Sequence, residues 1–273
     1  MKLSFIYMLP ARAEFKYAIR RNLPEALDLA AKLEFKGVEY NIPNPFEVDF
    51  KHLLRLTEDH GLRISAISTG SAYLEYGLTI THPDFSIRAK ALKLMEKCIE
   101  YASTHNSGVV IGLIRGRKEG RSLREFTKSL IGSIKMLEDH CLNYNVSLLI
   151  EPLNRYEADY INNVEEALRI IEQTGEYVKI LLDTFHMNIE EKNICEAIIK
   201  AGRNTGHVHI AENNRLPPGL GSISWKDVIL HLYNVGFNGY LSLEALPKPS
   251  FKEALRQTAE TLNPIIRSLK ATC

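Results

Sequence analysis

Eight short apolar segments alternate with longer stretches of helical period, and this alternation constrains the fold more than any other feature of the sequence. We predict strands at Leu3–Met8, Val38–Ile42, Ile64–Ser68, Val109–Ile114, Ser147–Leu153, Val178–Asp183, Gly206–Ala211 and Tyr240–Leu246. These segments are apolar enough to be buried on both faces, as parallel strands require. Between them apolar residues recur at helical spacing, as in Phe126, Leu130, Ile134, Leu137 and Cys141.

The ends of the predicted helices carry further signals. Glycines follow four helical patterns just before a strand, where a helix C-cap favours positive φ, namely Gly37, Gly61, Gly175 and Gly236. Ser224–Asp227 is typical of a helix N-terminus. Eight strand–helix units in 273 residues predict an α/β fold, a single (β/α)8 TIM barrel, with residues 1–273 forming one domain. An open doubly wound sheet gives similar local signals and is the alternative.

Composition narrows the class of partner. The 34 Lys and Arg balance 33 Asp and Glu, which argues against a broad basic face for nucleic acid. The cysteines, Cys98, Cys141, Cys195 and Cys273, are too widely spaced for a disulfide framework or a zinc knuckle. The sequence has no 18-residue apolar run and no signal segment, so we expect a cytoplasmic protein with no membrane partner.

Polar residues collect where the last four predicted strands end. Glu151, Asp183, His209 and Glu244 each lie on or directly after one of these strands. The carboxyl ends of barrel strands form the active face, so these side chains are expected to converge there. Taken singly, each has a structural explanation: a carboxylate often caps a helix, and a lone strand histidine, as we interpret His207, is more often part of the core. Their occurrence on four successive strands favours a site.

Three carboxylates and an imidazole form a mostly oxygen ligand set. Such a set suits one divalent metal; we expect Mn²⁺, with Co²⁺ or Mg²⁺ as alternatives. A metal that chelates a keto sugar acidifies the C–H beside the carbonyl and stabilises the enediolate. Glu151 and Glu244 come from strands three apart around the ring, so they can face the substrate from opposite sides. One could remove the proton and the other return it, which would invert the carbon.

The segments IEPLNRYE, LLDTFHMNIEE, GHVHIAENNRLPPGLG and LSLEAL resemble the xylose isomerase-like TIM-barrel superfamily, specifically the D-tagatose 3-epimerase group of ketose epimerases. Upstream, AISTGSAYLEYGLTITHP and VVIGLIRGRKEGRS are most similar to the 5-keto-L-gluconate epimerase branch, so the resemblance covers nearly the whole chain.

The resemblance implies a role for each matching position. It makes Glu151, Asp183, His209 and Glu244 the metal ligands, with Glu151 and Glu244 as the acid/base pair. It assigns Glu157, His186 and Arg215 to substrate hydroxyls and the carbonyl, while Tyr7 is a weaker candidate for the pocket wall. Surface charges for Glu157 and Arg215, a helix-start role for His186 and core packing for Tyr7 are the alternatives. A homodimer or homotetramer is also implied.

A basic run follows the fourth predicted strand: Arg115, Arg117, Lys118 and Arg121, with a helix predicted to begin near Ser122. Arg115 lies nearest the strand, so we expect it to bind a carboxylate of the substrate, which favours a keto sugar acid over a neutral ketose. A solvated surface loop is the alternative.

Other functions share the fold or the chemistry. An endonuclease IV-like nuclease needs extra histidines on the middle strands, which here end in Ser68–Gly70 and Leu113–Arg115. A non-catalytic sugar-binding protein gives no reason for two opposed glutamates around a metal. An aldose–ketose isomerase, such as one like hydroxypyruvate isomerase, and a metal-dependent dehydratase share the enediolate and stay open.

Overall fold

The computed structural model describes residues 1–20 and 22–271. Eight parallel strands pair in chain order and close into a barrel. The strands are β1 Lys2–Met8, β2 Gly37–Asn41, β3 Arg63–Ser68, β4 Gly108–Ile111, β5 Leu148–Ile150, β6 Val178–Asp183, β7 Thr205–Ile210 and β8 Tyr240–Leu243. The predicted fold is confirmed.

Helices cover the outside of the barrel and separate the strands along the chain. They are α1 Leu23–Lys32, α2 Phe50–Asp59, α3 Gly70–Tyr76, α4 Phe85–Ala102, α5 Leu123–Tyr144, α6 Val164–Ile171, α7 Thr184–Glu190, α8 Ile194–Ala201, α9 Trp225–Asn234 and α10 Phe251–Ala271. Short 3-10 turns lie at Pro45–Glu47, Ser103–His105, Leu113–Arg115 and Gly202–Asn204. Among the helices of residues 1–20 and 22–271, none is both long and apolar enough to cross a bilayer.

Two side-chain layers form the core. The larger lies between strands and helices and includes Phe5, Tyr7, Cys98 and Cys141. The smaller fills the barrel interior with Ala66, Val110, Leu149 and Leu181. Alternation along each strand sends successive side chains to opposite layers.

Three strands end three residues earlier than predicted because the chain leaves the ladder to build the active face. β4 stops at Ile111, since Leu113–Arg115 forms a 3-10 turn, and β5 and β8 stop at Ile150 and Leu243. The next residues still bond to a neighbouring strand: Glu151 N–H donates to Ile111 O and Glu244 N–H to Ile210 O, both at 3.2 Å. The main chain of both glutamates is therefore fixed by the barrel.

The predicted helix ends are partly corrected. Gly61 and Gly236 have φ of 71° and 80°, as predicted for helix C-caps. Gly37 instead begins β2, where a Cβ would lie 2.8 Å from the Tyr240 ring, and Gly175 has no positive φ. α5 begins directly after Ser122 in a capping box, and α9 begins after Ser224, whose hydroxyl bonds Asp227 instead of a backbone amide. Cys273 lies outside the described residues.

Candidate active site

Four buried side chains meet at the carboxyl ends of β5 to β8. Asp183 ends β6 and pairs in register with His209 of β7, while Glu151 and Glu244 directly follow β5 and β8. His209 Nδ1 lies 3.3 Å from Glu151 Oε1, 3.7 Å from Glu244 Oε1 and 3.9 Å from Asp183 Oδ2. The structure therefore brings together the four residues that the sequence predicts as ligands.

The donor atoms of this cluster fit a metal ion. Among the residues that the structure describes, Glu151 Oε1, Asp183 Oδ2 and His209 Nδ1 are buried without a hydrogen-bond partner. The two oxygens of Asp183 have different roles. Oδ1 accepts from the N–H of Phe185 at 2.7 Å and so caps α7, whereas Oδ2 faces the cluster. Buried polar atoms without partners are costly. Three inward-facing atoms of this kind form a site that a hard divalent cation would complete.

Glu39, which the sequence analysis missed, lies beneath His209. Both of its carboxylate oxygens lie 3.1 Å from His209 Nε2, and one accepts from His207 Nε2 at 2.9 Å. The carboxylate can only accept, so His209 carries a proton on Nε2 and turns Nδ1 toward the three carboxylates. The missed signal was one acidic residue within the apolar strand Val38–Ile42.

The charges of the cluster are strongly coupled. Burial opposes the charge of Glu39, but the two histidines outweigh it and hold its pKa well below the usual range. Burial likewise opposes the charge of His209, yet Glu39 and Glu244 raise its pKa well above the usual value. Because a ring nitrogen must be deprotonated to bind a metal, a cation bound at Nδ1 would displace a proton from the ring.

Glu244 differs from Asp183 in its resting charge. Burial, together with Glu151 and Asp183, raises the pKa of Glu244 well above its usual range, although Arg215 and His209 act against the shift. The pKa of Asp183 is lowered, since Arg215 and the histidines outweigh its burial. In the absence of a cation, Glu244 is therefore the carboxyl group of this pair that favours its protonated form.

His186 lies next to the cluster, in the first turn of α7. Its Nδ1 accepts from the side-chain amide of Asn154 at 2.8 Å and from the Asn154 N–H at 3.3 Å. Burial lowers the pKa of His186 to about 4, so the ring is neutral and carries its proton on Nε2. His186 is close enough to Glu151, Asp183 and Glu244 to share a cation with them. This tautomer instead suits it to donate to a substrate oxygen.

Arg215 projects into the same space from the β7–α9 loop, residues 211–224. Its guanidinium lies between the rings of Tyr17 and Phe185, at 4.5 and 4.4 Å from their centres. It donates to Glu244 and lies 3.4 Å from Asp183 Oδ2. Its backbone φ of 61° is unusual for a non-glycine residue and directs this side chain inward.

The β7–α9 loop is held by a second buried acid that the sequence analysis missed. Glu212 accepts from the N–H of Gly219 at 2.7 Å, from Trp225 Nε1 at 2.6 Å and from the N–H of Ile223 at 3.0 Å. This carboxylate therefore closes the loop on itself and fixes the base from which Arg215 projects.

A cavity opens above the cluster. Its lining residues are Phe15, Tyr17, Asn41, Ser68, Gly70, Val110, Gly112, Leu113, Glu151, Leu153, Glu157, His186, His209, Arg215 and Glu244. Arg215 is the one lysine or arginine among these described lining residues. Gly112 leaves space for the Glu151 carboxylate, since a Cβ at position 112 would lie 2.5 Å from Glu151 Oε2.

Two predicted substrate contacts lie elsewhere. Tyr7 packs edge-on against Tyr40 between β1 and the helices, because Ile6 and Met8 are the β1 residues that face inward. Arg115 is 1% exposed and is absent from the cavity wall, since its guanidinium binds main-chain carbonyl groups. The structure thus corrects the predicted placement of both residues, whereas it places Glu157, His186 and Arg215 on the cavity wall.

Comparison with known proteins gives a consistent picture. Residues 27–265 match the family described as xylose isomerase-like TIM barrel. D-psicose 3-epimerase of Ruminiclostridium cellulolyticum is 30% identical over 247 residues, which cover 85% of this chain and 78% of that protein. D-psicose 3-epimerase of Enterocloster bolteae is 42% identical over 125 residues, which cover 45% of this chain but only 38% of that protein. A solved L-ribulose 3-epimerase, 21% identical, superposes with a TM-score of 0.82 over 99% of this chain and 96% of that one.

Proposed function

Since the chain belongs to the xylose isomerase-like TIM-barrel family, we propose that it is a metal-dependent epimerase that inverts a carbon beside the carbonyl of a keto sugar. Relatives that are named as ketose 3-epimerases support the reaction class. One structural observation carries the proposal: buried, unpartnered atoms of Glu151, Asp183 and His209 face one another beside a cavity that Glu151, His209 and Glu244 line. The closer resemblance to the 5-keto-L-gluconate branch stays a prediction.

Glu151, Asp183, His209 and Glu244 would hold the cation, with Mn²⁺ as the predicted metal. When bound, the cation would polarise the substrate carbonyl and so acidify the neighbouring C–H. Glu151 takes that proton, and the C–H electron pair moves into the carbon–oxygen system to give the enediolate. Glu244, in its protonated form, returns a proton to the same carbon from the opposite face. The carbon is inverted, and each glutamate ends in the protonation state with which the other began.

Three further residues orient the sugar. His186 Nε2–H and the Arg215 guanidinium are donors that suit substrate oxygens. Glu157, whose carboxylate accepts from Asn154 Nδ2 at 3.0 Å, offers an acceptor to a substrate hydroxyl. Beyond them the described wall is neutral, with Phe15, Asn41, Ser68, Leu113 and Leu153. This lining favours a ketose with an uncharged far end over the keto sugar acid that the basic run suggested.

The test is deuterium exchange in D₂O, followed by NMR, with Mn²⁺-loaded protein, a panel of ketoses and 5-keto-L-gluconate. We expect an epimer labelled at the carbon beside the carbonyl, a neutral ketose as the better substrate, and no activity after EDTA until Mn²⁺ or Co²⁺ is added. An aldose product or loss of water would establish an isomerase or a dehydratase instead. Full activity without metal would contradict the proposal.

The two glutamates are tested separately. Glu151→Gln and Glu244→Gln should each abolish epimerisation, while one of them still exchanges deuterium into a single epimer, because each acts on its own face. Metal content is measured in both variants, since both residues are also proposed ligands. A variant that keeps its metal and epimerises at the normal rate would show that its glutamate is not an acid or base.

A further inference from the structure

Arg115 is a buried cation without a carboxylate partner in hydrogen-bond range among the described residues. Its Nη1 donates to the carbonyl oxygens of Gly112 at 3.0 Å and Glu151 at 2.9 Å. Its Nη2 donates to those of Tyr160 at 3.2 Å and Ile161 at 3.1 Å. The guanidinium therefore links the end of β4, the main chain of a proposed catalytic residue and the far end of the β5–α6 loop, residues 151–163.

The position of this charge is costly for a residue that touches no ligand. Burial lowers the pKa of Arg115 to about 10, which still leaves the side chain charged at neutral pH. Four carbonyl groups aimed at one guanidinium offset part of that cost, because hydrogen bonds to a charged group are stronger than neutral ones. The flat, forked guanidinium can reach two pairs of carbonyls at once, whereas a lysine ammonium cannot.

The β5–α6 loop depends on these contacts. Ile161 has φ of 58°, a conformation that is unfavourable for a β-branched residue and that needs support from its surroundings. Its carbonyl accepts from Arg115 and also from the N–H of Leu153 at 3.1 Å, which closes the loop. Glu157, a proposed substrate contact, lies between these two closure points.

We propose that Arg115 is a positioning residue: it fixes the main chain of Glu151 and the closed form of the loop that carries Glu157, and it does not bind a substrate carboxylate. This inference rests on the proposed function for its kinetic consequences. Misplacing a reacting group by a fraction of an ångström lowers the rate of chemistry more than the binding of substrate. Loss of Arg115 should therefore act mainly on kcat, and by the same factor for neutral and anionic substrates.

The experiment compares Arg115→Lys and Arg115→Met with wild type, and uses Arg124→Met, on the exposed side of α5, as the matched control. We expect Arg115→Lys to fold, to keep its metal and to lose about ten- to a hundredfold in kcat with KM changed less than about threefold. Amide hydrogen exchange should rise in residues 152–163 and stay unchanged in β1 to β3. Arg124→Met should match wild type in every measurement.

Two results would overturn the inference. The first is a rise in KM for 5-keto-L-gluconate alone, which would make Arg115 a carboxylate-binding residue. The second is a folded Arg115→Lys protein with normal kcat and normal exchange in residues 152–163. Should Arg115→Met fail to fold, the lysine variant decides. Should wild type lack epimerase activity, hydrogen exchange still tests the positioning role, so failure of the proposed function is distinguishable.

Discussion

Two loops bring the proposed substrate contacts Glu157 and Arg215 to the cavity, and each loop is held by a buried charge, one positive and one negative. The β5–α6 loop, with Glu157, is held by the Arg115 cation, which binds its carbonyl groups from a neighbouring loop. The β7–α9 loop, with Arg215, is held by the Glu212 anion, which lies within that loop and binds its N–H groups. The first loop depends on another segment of the chain, whereas the second carries its own support. A buried charge can thus shape an active site through the main chain without touching substrate.

The largest expected effect distinguishes Arg215, in the β7–α9 loop, from Glu157, in the β5–α6 loop. Arg215→Met should lower kcat/KM by about a hundred- to a thousandfold, because Arg215 is a buried donor beside Glu244 and Asp183. Glu157→Gln should lower it by only about tenfold, since Glu157 is less buried and its side chain lies at the cavity edge. Steady-state kinetics on metal-loaded proteins measures both. Equal losses would mean that the two loops contribute alike to the chemistry.

The next effect concerns the anion within the β7–α9 loop. Glu212→Gln should lower the free energy of unfolding by about 3 kcal/mol, because the amide places an NH₂ group against N–H donors that the carboxylate now accepts. Thermal and denaturant unfolding measure the loss, with Glu172→Gln at the exposed end of α6 as the control. A stability within about 0.5 kcal/mol of wild type would show that this loop does not need its buried charge.

The smallest effect distinguishes buried from exposed members of the basic run. Arg117 is exposed and donates to the carbonyl groups of Glu157 at 2.7 Å and Tyr156 at 3.4 Å, within the loop that Arg115 also binds. Since water competes for such contacts, Arg117→Met should change kcat/KM less than about threefold and stability by about 0.5 kcal/mol. Kinetics and unfolding of this variant beside Arg115→Lys test the contrast. If Arg117→Met lost as much activity and stability as Arg115→Lys, burial would not explain the importance of Arg115.

The convergence of the strand-end residues could be predicted because geometry leaves little freedom there. Parallel strands in a barrel bring their carboxyl ends to one rim, so Glu151, Asp183, His209 and Glu244 converge whatever the loops do. Glu39 could not be predicted as their support, because one acid in an apolar strand does not reveal which side chains face it across the interior. Its neighbours there, His207 and His209, are 168 and 170 residues away in the chain.

The positions of Tyr7 and Arg115 could not be predicted, for two further reasons. A strand that is buried on both faces does not reveal which alternate residues point inward, and Tyr7 has the outward parity. Arg115 ends a 3-10 turn, and its side chain binds main-chain carbonyl groups instead of lining the cavity. A run of basic residues in the sequence therefore indicates positive charge but not the direction of each side chain. Loop conformation decides that direction, and it depends on contacts such as Thr81 Oγ1 with the Arg115 carbonyl, 34 residues apart.

Gly112 has a consequence for engineering. Its neighbour Leu113 lines the cavity and can be varied in a mutant library to change which sugars are accepted. Gly112 cannot join that library, because even an alanine methyl group would meet the Glu151 carboxylate. A saturation screen of this wall should therefore recover diverse side chains at 113 and glycine alone at 112, so redesign of the substrate range must proceed around one fixed point.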